Sequence, residues 1–260
     1  MSEASHIYFA SDFHLGVPPG QKSLERERKI VRWLKAIAPT AKEVYLLGDI
    51  FDFWFEYKYV VPKGQVRLLA CLSQLVESGI KVTVFTGNHD MWMFDYLEKE
   101  VGVKIERAPI TKVYSGKTFY LGHGDGLGPG DLKYKVLKLF FASKLCQWLF
   151  ARIHPNLSFW IAQFWSRKSR LSNLKNDEVF ESKEKEWLYQ YCLSQLKAER
   201  IDYFIFGHRH LPLDLPIEGS SSRYINLGEW VTGKCHFATF DGANLTLDRF
   251  EDELPLEGKE

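Results

Sequence analysis

The chain has 260 residues, 45% of them hydrophobic and 15% aromatic, which is enough for one full-sized core in a single domain. Its 34 Lys and Arg against 33 Asp and Glu exclude a whole-molecule attraction to nucleic acid and leave only local patches to consider. The opening residues lack the basic start and apolar stretch of a signal peptide, and no apolar run reaches the roughly 18 to 20 residues that span a bilayer. The four cysteines (Cys71, Cys146, Cys192 and Cys235) form no CxxC pair, so a cytosolic protein with reduced, mostly buried thiols is expected.

In chain order, residues 7–10 read as a short buried strand. Residues 24–37 read as a helix capped by Ser23, with Leu24, Ile30, Val31 and Leu34 on its apolar side. Residues 44–47 are the next strand. Residues 66–77 carry Leu68, Leu69, Leu72, Leu75 and Val76 at helical spacing and stop at Gly79. Residues 81–86 form a strand rich in β-branched side chains. A β-α-β-α-β opening of this kind implies parallel strands joined by crossover helices, an α/β architecture. Further strands are expected at 117–122, 203–206, 223–227, 236–240 and 245–250. The stretch from about 131 to 199 reads as a helical insert in a domain covering 1–250. The acidic tail 251–260 is expected to fray.

Five short polar clusters punctuate this pattern: Asp12-Phe13-His14, Gly48-Asp49-Ile50-Phe51-Asp52, Gly87-Asn88-His89-Asp90, His123-Gly124-Asp125 and Gly207-His208-Arg209-His210. They supply Asp, Asn and His and no thiolate, an inventory that suits divalent metals held by oxygen and imidazole nitrogen. Two such metals close together activate water against a phosphorus centre. Three of the clusters follow predicted parallel strands directly, where ligands of open α/β sheets gather. In Asp12-x-His14 and His208-x-His210 the spacing of two puts both side chains on one side of an extended chain. Any one cluster alone reads equally well as a turn or a surface pair; their joint presence does not. His6, His154 and His236 have no motif partner and read as structural or exposed.

Asp12-x-His14, Gly48-Asp49-x-x-Asp52, Gly87-Asn88-His89-Asp90, His123-Gly-Asp125 and Gly207-His208-x-His210, in this order, resemble the calcineurin-like metallophosphoesterase family over nearly the whole chain. The resemblance implies a four-layer α-β-β-α sandwich of two mixed sheets. It implies that Asp12, His14 and His210 hold a first metal, that Asn88, His123 and His208 hold a second, and that Asp49 bridges both. Chemistry agrees, since a bridging carboxylate and two cations make a serine or cysteine nucleophile unnecessary. His89, next to a ligand, is placed to donate a proton or a hydrogen bond on the leaving side of the phosphorus. Asp52 and Asp90 read either as partners that orient imidazoles or as turn caps.

The substrate is read from the insert. Residues 132–170 contain eight Lys or Arg, no Asp or Glu, and nine aromatics. A basic, apolar helical segment between metal motifs reads as a lid that holds acyl chains and touches an anionic membrane surface, or as a helical hairpin with its aromatics in the core. The run from His123 through Asp131 and Tyr134 to Trp165-Ser166-Arg167-Lys168-Ser169-Arg170 resembles the UDP-2,3-diacylglucosamine hydrolases of lipid A synthesis, one branch of the family. That resemblance implies cleavage of the pyrophosphate of an acylated UDP-sugar to UMP and a diacylglucosamine 1-phosphate. It implies manganese as the usual metal, with iron or zinc compatible with the same ligands, and work at the cytoplasmic face of the inner membrane. It places Asn88, His89, Asp131, Tyr134, Arg167, Lys168 and Arg170 among the substrate contacts, with solvated surface charge the alternative for the last three. One position departs from it: well-known members of that branch carry Arg where this chain has His89. The rival readings are a general phosphodiesterase or phosphatase acting on a soluble nucleotide or nucleic acid, and a scaffold that only binds partners. No nucleic-acid partner is expected, and the sequence does not reveal the oligomeric state.

Overall fold

The computed structural model describes residues 5–17, 20–128, 132–173 and 180–251. Strand β1 (His6–Ala10), helix α1 (Gln21–Ile37), β2 (Ala41–Leu46), α2 (Val66–Glu77) and β3 (Lys81–Phe85) form the expected alternation, and the three strands pair in parallel. A π-helical turn (Leu97–Val101) leads into β4 (Lys104–Glu106), followed by β5 (Ile110–Tyr114) and β6 (Lys117–Leu121). Helices α3 (Leu132–Ala142), α4 (Lys144–Phe150), α5 (Pro155–Asn173) and α6 (Trp187–Gln195) come next. The chain closes with β7 (Tyr203–Phe206), β8 (Pro212–Pro216), β9 (Arg223–Leu227), β10 (His236–Phe240) and β11 (Leu245–Arg249).

The strands build two mixed sheets, one ordered β11-β10-β1-β2-β3-β4 and the other β5-β6-β7-β9-β8. Side-chain alternation along each strand decides which layer each residue joins. From β1 and β2, Ile7, Phe9, Tyr45 and Leu47 point between the sheets, where they meet Phe119, Leu121, Ile205, Ile225 and Leu227. Their neighbours Tyr8, Ala10, Val44 and Leu46 point the other way, onto Ile30, Trp33 and Leu34 of α1 and Leu68 and Leu72 of α2. On the far side of the second sheet, Phe204, Phe206 and Tyr224 pack with Leu188, Tyr189 and Cys192 of α6. Helix, sheet, sheet and helix therefore stack as the expected four layers.

Helices α3 to α5 lie outside those layers. They rest on a separate apolar cluster in which Phe55 and Trp92 meet Cys146, Phe141 and Phe150. All four cysteines are buried and unpaired. Among the described residues no helix is long and apolar enough to cross a membrane.

One local expectation is corrected. Ser23 does not cap α1, which starts earlier, after Gly20. Its hydroxyl is buried inside the helix and accepts the Gly16 amide at 2.8 Å. Strands β4, β5 and β8 carry no expectation from the sequence. β4 and β5 are edge strands of the two sheets and β8 is the opposite edge of the second. An edge strand needs little apolar surface and tolerates Pro at its ends, as β8 shows, so periodicity is weak there. Residue Asp131 and the tail beyond residue 251 lie outside the described residues.

Candidate metal centre

Five loops leave the carboxyl ends of strands and meet at one edge of the sandwich: residues 11–14 after β1, 47–52 after β2, 86–90 after β3, 122–125 after β6 and 207–210 after β7. The first three strands are parallel neighbours in one sheet, and β6 and β7 are parallel neighbours in the other. Backbone conformation bends these loops sharply. Asp12 (φ 56°), His14 (44°), Asp49 (53°), His208 (69°) and His210 (54°) all occupy the left-handed region. Each costs an L-residue about 1–2 kcal/mol and persists only when its surroundings over-determine it. The surroundings do so here. Asp12 N donates to Gly48 O at 3.1 Å, His14 N to Asp49 O at 2.9 Å, Trp230 N to Asp12 O at 3.2 Å and Gly207 N to His123 O at 2.9 Å. Gly87 and Gly207 are required for close approach, since a Cβ at either would fall onto the carboxylate of Asp49 or Asp12 respectively.

Asp49 sits at the centre. Its Oδ1 accepts the His89 amide at 2.9 Å. Its Oδ2 lies 3.7 Å from His14 Nε2 on one side and 3.4 Å from His123 Nε2 on the other. Around the first of these, Asp12 Oδ1 is 3.7 Å from His14 Nε2 and 3.2 Å from His210 Nε2. Around the second, His123 Nε2 is 3.1 Å from Asn88 Oδ1, and its ring packs edge-on against His208 with centroids 5.1 Å apart. Two donor triads, Asp12-His14-His210 and Asp49-His123-His208, thus flank one carboxylate, and His14, Asp49 and His89 close a third. The carboxylates form a buried floor, whereas Asn88, His89, His208 and His210 are partly open to solvent.

The donors fit a pair of divalent cations. His123 Nδ1 faces the Leu47 carbonyl at 2.7 Å and donates its proton there, which leaves Nε2 as a lone pair aimed at Asn88 Oδ1 and Asp49 Oδ2. His14 Nε2 and His210 Nε2 face each other at 3.1 Å. Asp12 Oδ1 is buried with no hydrogen-bond partner among the described residues. Acceptors face acceptors, and only a proton or a cation relieves that. The titration behaviour carries the same message. Burial alone would lower His123, yet Asp49, Asp12 and Asp125 push it up to about 10. Burial alone would raise Asp12 and Asp49, yet the surrounding imidazoles hold both well below the usual carboxylate range. The site asks for positive charge at its centre, and manganese, iron and zinc all tolerate ligands of this kind. His208 and His89 are instead brought down to about 4, chiefly by burial, so both imidazoles are neutral near pH 7.

The other expected site residues divide. Asp52 Oδ1 lies 3.7 Å from His14 Nδ1 and 3.6 Å from His89 Nδ1, while its backbone carbonyl faces His89 Nδ1 at 3.0 Å. Ser166 of α5 donates to the same carboxylate at 3.0 Å. Asp90 reaches no imidazole in the described contacts. Its two oxygens accept the amides of Gly87 (2.8 Å), Ile50 (2.8 Å), Phe51 (3.2 Å) and Asp49 (3.3 Å), which ties the loop after β3 to the loop after β2. Burial, with the neighbouring Asp49 charge, pushes Asp90 up to about 7 against the amides of Gly87 and Phe51. Tyr134, Arg167, Lys168 and Arg170 lie on α3 and α5, but their side chains are outside the described residues. Sequence reading missed Arg209, which is buried between the two histidines of its motif. Its Nε donates to Glu186 at 3.1 Å and its guanidinium lies over the Trp187 ring, which fixes the last loop to α6. It also missed Lys138 of α3, whose ammonium is 2.6 Å from Asp125. Neither residue carries a signal beyond its charge.

Comparison with known proteins places this geometry in context. The family model described as calcineurin-like phosphoesterase matches residues 5–212. A protein of Porphyromonas gingivalis named UDP-2,3-diacylglucosamine hydrolase is 36% identical over 95% of this chain and 98% of its own. One of the same name from Azotobacter vinelandii is 26% identical over 85% of this chain and 88% of its own. Among solved structures, a phosphoesterase from E. coli superimposes with a TM-score of 0.43 at 15% identity, covering 92% of this chain and 90% of its own.

Proposed function

The chain belongs to the calcineurin-like phosphoesterase family and is a metal-dependent hydrolase of phosphoric ester or pyrophosphate bonds, and from that premise we propose that its substrate is UDP-2,3-diacylglucosamine. Water adds across the pyrophosphate: its oxygen goes to the uridine-side phosphorus, and the proton goes to the departing sugar-phosphate oxygen, giving UMP and 2,3-diacylglucosamine 1-phosphate. The observation that carries the two-ion chemistry is Asp49, one oxygen of which lies 3.7 Å from His14 Nε2 and 3.4 Å from His123 Nε2, and the substrate follows from the relatives named above. We assign Asp12, His14 and His210 to a first cation, Asn88, His123 and His208 to a second, and Asp49 to both, with manganese the preferred ion. Bound there, the ions supply Lewis acidity, a nucleophile from water at neutral pH and charge neutralisation at the phosphates.

The protein's own groups do the rest. Asp49 Oδ1 fixes the His89 backbone, and the Asp52 carbonyl fixes His89 Nδ1, so the ring presents Nε2. A phosphate charge in contact with that ring draws a proton onto it, which the departing oxygen then takes. Asp52 positions His89, and Asp90 holds the two loops at their fixed separation. Asn88, His89, Asp131, Tyr134, Arg167, Lys168 and Arg170 remain our candidates for contact with the substrate.

The lid comprises α3 to α5. Helix α6 belongs to the outer layer of the second sheet, so the lid ends before it. Large apolar side chains stand exposed along these helices, among them Leu139 (73%), Leu145 (67%) and Trp160 (64%). Exposure of this kind on a basic segment suits acyl chains and an anionic membrane surface, with the protein peripheral to the cytoplasmic face of the inner membrane. Replacing Leu139, Trp148 and Trp160 with Ser forgoes the roughly 1.5–3 kcal/mol that each would gain on burial among acyl chains. Binding to anionic vesicles and turnover of micellar substrate should both fall by at least about tenfold, with hydrolysis of a small soluble phosphodiester unchanged. A parallel loss on the soluble substrate would show that these side chains support the fold instead.

The decisive assay supplies the acylated UDP-sugar in detergent micelles with Mn²⁺ and resolves products by mass. UMP and the acylated sugar phosphate should appear, a chelator should stop the reaction, and added Mn²⁺ should restore it. His89 favours one rival, since well-known members of the branch with this substrate carry Arg there: a phosphodiesterase or phosphatase acting on soluble nucleotides. Good turnover of soluble diesters with none of the acylated substrate would establish that rival.

A further inference from the structure

The ligand imidazoles are not all held in the same way. His123 is oriented through its second nitrogen, by the Leu47 carbonyl at 2.7 Å. Outer hydrogen bonds of that kind normally fix the ring and tautomer of a ligating histidine. His14 has none: its Nδ1 is buried without a hydrogen-bond partner among the described residues, and the nearest carboxylate oxygen, Asp52 Oδ1, is 3.7 Å away. Its backbone is in the left-handed region, at φ 44°. The direction of this ring is therefore set by its backbone.

That backbone is gripped from α1. The helix buries Ser23, Arg26 and Glu27 along with its apolar residues. Glu27 accepts the amides of Arg67 and Leu68 at the start of α2. Ser23 and Arg26 reach the loop after β1. Ser23 Oγ accepts the Gly16 amide. One terminal nitrogen of Arg26 donates to the His14 carbonyl at 2.7 Å and also to the Val17 carbonyl, closing residues 14–17 into a loop around a single NH₂ group. The guanidinium is buried, and its Nε has no partner among the described residues. The buried Glu229 favours its charge, and the next residue, Trp230, donates to the Asp12 carbonyl at 3.2 Å. A buried cation with one donor unused, near a site that is to receive more positive charge, is poorly explained by stability alone.

We infer that Arg26 is a positioning residue for the first cation: by holding the His14 carbonyl it aims His14 Nε2 at the space shared with Asp12 and His210. The inference rests on the ligand set proposed above. It predicts a defect confined to one of the two ions, whereas a merely structural role would weaken both.

The test is calorimetric titration of the metal-free, full-length protein with Mn²⁺. His210→Ala identifies the binding step that belongs to the first position. Arg26→Met should weaken that same step by about tenfold and leave the other within about twofold, the usual scale for losing an outer-shell partner. Arg26→Lys should recover most of the loss, because an ammonium can bridge the same two carbonyls. In a His210→Ala background, Arg26→Met should add nothing to the remaining step. Equal weakening of both steps, no change, tighter binding in Arg26→Met, or a Lys variant no better than Met would each overturn the inference. Should Arg26→Met fail to fold, Arg26→Gln carries the same expectation. If His210→Ala leaves both steps intact, the proposed ligand set has failed, a result distinct from any that concerns Arg26.

Discussion

Asp49→Asn should fold as the native protein does, bind at most one Mn²⁺ tightly, and lose hydrolysis by about 10³-fold or more, because its target is the charge shared by both cation positions. Asn is the informative replacement. It keeps an oxygen to accept the His89 amide and fits the space that Gly87 leaves clear, so the backbone bonds that hold the loops survive. What it removes is the negative charge between His14 Nε2 and His123 Nε2. Metal counting by elemental analysis, alongside the rate, checks the prediction. A variant that retained two ions and half its activity would show that the ions are held without a shared carboxylate.

His89→Ala should behave in the opposite way, with both ions retained and kcat lowered by about 10²–10³-fold, the scale of general acid catalysis. Burial holds the free imidazole near a pKa of about 4, so the ring meets the substrate neutral and becomes an acid only in the complex. An acid must be protonated to act, so kcat should fall as the pH rises through the pKa reached in the complex, and His89→Ala should lack that alkaline limb. His89→Arg separates charge from proton transfer. A guanidinium keeps a cation beside the phosphates yet gives up no proton near neutral pH, so part of the rate should return without the limb. Full activity in His89→Ala would end the proposed role.

Much of this site is legible in the sequence because metal ligation needs particular side chains immediately after strands, and strands in the sheet interior announce themselves by apolar runs. Asp12, His14, Asp49, Asn88, His123, His208 and His210 do converge. Their supports are less visible. Asp90 lies one residue from His89 and has the chemistry to orient an imidazole, but four backbone amides reach it first. Local spacing does not report such competition. Arg26 looks like any helical arginine until the loop after β1 folds back over it, and Arg209 looks like a spacer until α6 brings Glu186. Ser23 has the composition of a cap, yet the helix begins before it, since its hydroxyl is drawn to Gly16 across the loop. The left-handed backbone of five site residues is likewise imposed by tertiary contacts. Asp and His tolerate that region better than most residues, but residue type alone does not single out these five.

The proposed ligands come from both halves of the sandwich: Asp12, His14, Asp49 and Asn88 follow strands of one sheet, while His123, His208 and His210 follow strands of the other. Ions seated between them would act as rivets across the seam, since by mass action whatever binds only the closed form makes it harder to pry apart. Cohesion of the molecule would then be conditional on the supply of divalent metal. A copy starved of its ions is both idle and easier to open, so proteases that cut transiently opened chains reach the empty copies first. On this assignment, quality control of the catalyst would be built into its scaffold.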